Sequence, residues 1–152
     1  MLPLCADQGV QTLIYSPLAR GRLARPWGQT TARTKAEPSG AAQNPATAQS
    51  DQKIIEAVAT VARERAVSQA EIALAWLHRN PVVGAPLVGA LKPKHIDDAV
   101  AALSINLTDE EVARLEAPYT PRFDGQGVSN PVLLARAAEA ANGFKASVPA
   151  LF

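Results

Sequence analysis

Two places in this chain put cations beside residues too small to block a close approach. Arg20, Arg22 and Arg25 surround Gly21 with no acid among them, and Lys92 follows Gly89 and Ala90. These types suit anion recognition: guanidinium and ammonium groups donate charge-assisted hydrogen bonds, and a position without a Cβ lets backbone come near a ligand. At the second place Pro93 fits the first position of a helix, whose free N–H groups attract anions. Either place alone is a weak signal. An ordinary strand exit with solvated arginines uses the same residues, and on composition alone it is the readier reading of the first. If the fold brings the two together, they make a phosphate clamp.

The elements that must position them can be read locally. Thr12-Leu13-Ile14-Tyr15 is β-favouring and stops at Ser16-Pro17, because Pro17 lacks an N–H and disfavours the α region for Ser16. Pro81 to Pro86 reads as a turn containing Gly84. Leu87-Val88-Gly89-Ala90 is a short apolar run bounded by turn signals, which predicts a buried strand. Helical patterns separate the two runs, as in a parallel sheet. Both loops then leave the C-terminal ends of strands, where parallel α/β proteins place their ligands.

The rest of the chain reads mainly as helix. Met1 to Gln8 has the character of the last turns of a helix, with Gly9 as its C′ residue; such a beginning leads us to expect further sequence upstream. Gly28 to Ser50 is polar, aperiodic and long enough to be a lid, a binding loop or a disordered connector, with a mobile surface loop slightly favoured. Asp51 is a candidate N-cap, and Ile54, Ile55, Val58, Val61 and Ala62 form one apolar stripe up to about Arg65. Ser68 to Glu71 is a capping box for a second helix, predicted to turn Ile72, Ala73, Trp76 and Leu77 inward and to stop at Asn80-Pro81. His78 near its end suits the helix dipole. The Pro93 helix carries Ile96, Ala99, Val100 and Leu103 on one face to about Ser104. Thr108 to Glu111 opens a last capped helix with Val112 and Leu115, ending before Pro118. Residues 1–127 read as one domain and 128–152 as an alanine-rich helical tail.

Composition removes several classes. The 152 residues are 47% hydrophobic and carry a net charge of +1, which fits a globular domain and argues against disorder and a dedicated nucleic-acid binder. No apolar run is long enough for a membrane span and no signal peptide is visible. One cysteine, Cys5, excludes an intrachain disulfide and fits a reducing, cytoplasmic setting, where a small buried side chain is its expected role.

Taken together, Tyr15-Ser16-Pro17-Leu18-Ala19-Arg20-Gly21-Arg22-Leu23, Ser68 to Leu77, Val88-Gly89-Ala90-Leu91-Lys92-Pro93-Lys94-His95-Ile96-Asp97-Asp98-Ala99-Val100 and Leu107 to Glu111 resemble the aldo-keto reductases in order and spacing, and the similarity runs to about Val128. The resemblance implies an α/β fold: the C-terminal part of a (β/α)8 TIM barrel, with Thr12–Tyr15 and Leu87–Ala90 as strands seven and eight, incomplete as a barrel. It also implies NADPH as cofactor. Tyr15 would stack on the nicotinamide, Ser16, Pro17, Leu18 and Gly21 would line the pyrophosphate, Gly89, Ala90 and Lys92 would hold the adenosine phosphate end, and His95 and Asp98 would stand near the adenine. Leu91 and Ala99 depart from the pattern, since many relatives carry a small polar residue and an asparagine there. The family's proton-donating tyrosine, with its aspartate, lysine and histidine, has no counterpart, so no catalytic residue and no metal site is assigned. A carbonyl substrate is then expected only in a complete barrel, with an N-terminal half or an oligomer partner supplying the rest. The alternative is a non-catalytic NADP-binding or regulatory interaction module.

Overall fold

The structure, a computed structural model, describes residues 1–30 and 48–120. Most of the expected 28–50 loop and the whole 128–152 tail therefore lie outside the described residues. The first helix, α1 (Leu2–Asp7), closes as its sequence predicts. Gly9 takes φ +63°, the Gly9 N–H reaches the Ala6 carbonyl at 3.3 Å and the Val10 N–H reaches Cys5 at 2.8 Å. That pair of bonds is a Schellman motif, and its left-handed residue is the reason for a glycine. Cys5 is half-buried rather than buried.

The turn out of α1 delivers strand β1 (Thr12–Ile14) to strand β2 (Val83–Pro86), and the two pair in parallel. Thr12 lies opposite Val83, Leu13 opposite Ala85 and Ile14 opposite Pro86. The parallel arrangement is as expected, but the position of β2 is not. The strand occupies the stretch expected to turn, and Leu87–Ala90 forms the loop after it. Register explains this. The Thr12 N–H bonds to the Val82 carbonyl at 2.8 Å and the Leu87 N–H to the Ile14 carbonyl at 2.9 Å. Alternate N–H groups of a strand face the same neighbour, so the position of Pro86 faces away from β1 and its missing donor costs no ladder bond.

Between the strands lie helices α2 (Ala48–Glu64) and α3 (Gln69–His78); after β2 come α4 (Pro93–Ala101), a 3₁₀ turn at Ala102–Ser104 and α5 (Asp109–Glu116). Helix α2 starts one turn before Asp51, which is not its N-cap. Asp51 is instead buried in the first turn and paired with Arg22 at 3.7 Å. Both expected capping boxes are present. The Ser68 and Thr108 hydroxyls accept from the N–H groups of Glu71 and Glu111, whose carboxylates accept in return.

The core is helical. Val58, Val61 and Ala62 of α2 meet Ile72 and Ala75 of α3 and Leu115 of α5, with Leu107 between. Helix α3 is buried almost all round, through Ile72, Ala73, Leu74 and Ala75, because α2, α4, β2 and the 3₁₀ segments Ala19–Ala24 and Ala102–Ser104 pack on it. Trp76 is correspondingly displaced from its expected place in the core. It is 41% exposed and donates its indole N–H to Glu116 at 2.9 Å. Among the described residues no helix is long and apolar enough to cross a membrane.

Candidate functional site

The parallel register of β1 and β2 sends the chain out of both strands at the same end, so the Tyr15–Arg25 and Leu87–Lys92 loops share one edge of the sheet. The first loop is shaped by its backbone. Ser16, Ala19 and Arg20 hold positive φ, as does Gly21 at +84°, and the chain winds through a kinked 3₁₀ segment, Ala19–Ala24. Three bonds close the turn. Ala19 N–H reaches the Ser16 carbonyl at 2.9 Å, while those of Gly21 and Leu23 share the Leu18 carbonyl at 2.8 and 3.3 Å. Leu23 then packs against the helical core. The sequence reading overlooked Leu23 as the anchor, although it is the one large apolar side chain between Arg20 and Arg25.

Of the predicted residues on this loop, Ser16, Pro17, Leu18 and Gly21 are half-buried, and Tyr15 stands 75% exposed at the strand end. The three arginines divide. Arg22 is turned toward Asp51, tying the loop to α2. Arg25 donates from Nη2 to the Arg20 carbonyl at 3.3 Å. Only Arg20 makes no side-chain ion pair or hydrogen bond within the described residues. The expectation of three cations aimed at an anion is reduced to one, because the other two serve the protein's own carboxylate and carbonyl.

On the second loop, Gly89, Ala90 and Lys92 are exposed, and a side chain added at Gly89 would meet nothing within 4 Å. Lys92 is the N-cap residue of α4 and Pro93 its first residue, as predicted, yet Lys92 makes no capping bond. Lys92 is exposed and stands at the N-terminus of a nine-residue helix, the end that carries partial positive charge. His95 and Asp98 are already engaged. His95 Nδ1 accepts from the Leu91 N–H at 3.2 Å, which puts the proton of the neutral ring on Nε2. Asp98 accepts from Lys94 one turn away at 2.7 Å, a contact that raises the Lys94 pKa. Beside this loop an open groove of about 370 Å³ is lined by Pro86, Val88 and Ala90, by Ile96 and Val100 of α4 and by Leu103 of the 3₁₀ turn after it. Among the described residues no cluster of His, Cys, Asp or Glu could hold a metal.

A parallel βα arrangement with glycines and cations at its strand ends defines an α/β scaffold whose ligand-binding end, by the general rule for such sheets, is the C-terminal end of the strands. The model of the Aldo/keto reductase family matches residues 1–119, and the chain belongs to that family. It is 37% identical over 124 residues to a versiconal hemiacetal acetate reductase of Aspergillus parasiticus, covering 80% of this chain and 36% of that protein. A protein of Saccharomyces cerevisiae assigned by name to the aryl-alcohol dehydrogenases is 36% identical, over 80% of this chain and 35% of its own length. An aldo-keto reductase of Alternaria alternata is 35% identical, over 78% and 32%. The chain thus spans about a third of the length of these relatives. The family's fold is the (β/α)8 barrel, and the described residues supply a helix-rich α/β part with a small, open parallel sheet.

Proposed function

We propose that this chain is the cofactor-binding end of an NADPH-dependent carbonyl reductase, with β1 and β2 as strands seven and eight of the barrel. The observation that carries the reading is the parallel register, which places the Ser16–Gly21 turn and the Gly89–Lys92 loop at one strand end. Barrels commonly hold phosphate there. The residues fit a dinucleotide. Open space beside Gly89 leaves room for the adenosine phosphate end, and Lys92 and Arg20 keep free cationic heads. Ser16, Pro17, Leu18 and Gly21 line the diphosphate, and Tyr15 presents an exposed ring to the nicotinamide. His95 offers Nε2–H toward the adenine, while Asp98 acts there through Lys94 rather than as a free carboxylate.

When bound, NADPH supplies the hydride that converts a carbonyl to an alcohol. The residues of this chain orient the nucleotide and do not deliver the proton. Lys94 is paired with Asp98, and Tyr119 follows α5 at an exposed position unrelated to the family's proton donor. Turnover therefore needs further βα units carrying that tyrosine, and the carbonyl substrate contacts them. The missing donor also favours a second reading, a binding module without catalysis. The two separate in an assay of NADPH oxidation with an aromatic aldehyde, using this chain alone and with the first six βα units of a relative. The first reading expects turnover only with both parts. Turnover by this chain alone, abolished by Tyr119→Phe, would overturn both.

A further inference from the structure

Arg25 lies in the cationic loop but is turned back onto the loop's own backbone. Its guanidinium passes over Gly21. Nη2 donates to the Arg20 carbonyl at 3.3 Å and stands 2.9 Å from the point where a Cβ on residue 21 would be. On the other side of the same peptide, the Gly21 N–H donates to the Leu18 carbonyl at 2.8 Å. The Arg20–Gly21 peptide is thus held at both of its polar ends. It needs holding, since Ala19 and Arg20 are non-glycine residues in the left-handed region, which side chains resist. Gly21 is required twice over, by its φ of +84° and by the guanidinium occupying its Cβ position.

The geometry points to Arg25 as a positioning residue that fixes the Ser16–Gly21 turn in the shape that receives a dinucleotide diphosphate, without touching the phosphate itself. This role rests on the cofactor reading above. A guanidinium–carbonyl bond is charge-assisted and planar, so it orients the peptide as well as attracting it. Arg22 and Leu23 complete the brace by fastening the same turn to Asp51 and to the core. The loop's positive charge is then largely scaffold, and the cations left for ligand are Arg20 and Lys92.

Two readouts on the 152-residue chain test this. Amide hydrogen exchange at Gly21 and Leu23, without ligand, reports the turn; fluorescence titration with NADPH and NADH reports binding. Arg25→Ala should speed exchange at both amides and weaken both nucleotides by the same factor, roughly tenfold or more, leaving the salt dependence of NADPH affinity unchanged. Gly21→Ala should cost less binding in the Arg25→Ala background than in the unaltered chain, because the collision with the guanidinium is gone. A loss confined to NADPH, or a shallower salt slope, would mean that Arg25 contacts a phosphate and would overturn the proposal. Unchanged exchange and affinity would overturn it as well. Failure of the unaltered chain to bind either nucleotide would remove the cofactor reading and this role with it, a result distinct from a variant that behaves like its parent.

Discussion

Helices α3 and α4 are built by the same rules and end in opposite situations. In α3, Ile72 is 0% exposed and Leu74 1%, and the helix is locked by a capping box. In α4 no residue is buried, and Ile96 and Val100 leave 56% and 60% of their surface open, as Leu103 in the following 3₁₀ turn leaves 64%. The first helix is covered within this chain by α2, β2, the 3₁₀ segments and α4 itself. The second keeps its apolar face along the groove beside β2. Stability is therefore concentrated among the helices, and the two strand-end loops are carried at the rim of that mass. At the rim the first loop is tied down at single points, Leu23 packing on the core and Arg25 bonding the Arg20 carbonyl.

The largest expected effect separates the two helices directly. Ile72→Ala should lower stability by roughly 2–5 kcal/mol, as deletions in a filled core do, whereas Val100→Ala should stay within about 0.5 kcal/mol. Urea unfolding of both variants measures this, and equal costs would show that α4 is covered in solution.

A second test uses acid. Glu111 is held at a pKa of about 2, well below its ordinary value of 4.5, first by the Arg65 side chain at 2.5–2.6 Å and then by the Thr108 N–H. Arg114 lowers Glu64 in the same direction. A carboxylate depressed in the folded state stabilises above its unfolded pKa and loses that contribution as pH falls toward the folded one. Thermal stability should thus drop between pH 4.5 and about 2. Glu111→Gln should lie lower at pH 7 and fall less steeply, and a variant that keeps the full acid slope would assign the loss elsewhere.

Smaller again are the caps. Ser68→Ala should cost about 1 kcal/mol. Lys92→Ala, at the N-cap of α4 but with no capping bond, should change stability by less than about 0.5 kcal/mol. A large loss from Lys92→Ala would give that residue a structural role.

How much of this was legible follows from which interactions are local. Both capping boxes, the glycine closing α1, the start of α4 at Pro93 and the parallel relation of the strands were readable, because each depends on residues a few positions apart or on the alternation of elements. The place of β2 was not. Leu87-Val88 looks more strand-like than Val83–Pro86, but register is decided by backbone bonds to a strand some 70 positions away, and these tolerate Gly84 and Pro86. Trp76 was misplaced because a one-sided helix was assumed where α3 is surrounded. Asp51 looked like an N-cap because nothing in its neighbourhood announces Arg22 as a partner. In the candidate site the positions of small and charged residues were legible. The directions of Arg22 and Arg25 were not, since charge alone does not say which way a long side chain turns.

The central claim is that the two strand-end loops together read a phosphorylated dinucleotide, with Lys92 as the cation that meets its extra phosphate. Calorimetric titration of this chain and its Lys92→Ala variant with NADPH and NADH tests that most directly. A charge-assisted contact contributes about 1.5–3 kcal/mol. Saturable binding of NADPH should therefore weaken by roughly tenfold to a hundredfold in the variant, with little change for NADH. Equal losses for the two nucleotides, or no binding of NADPH by the unaltered chain, would contradict it.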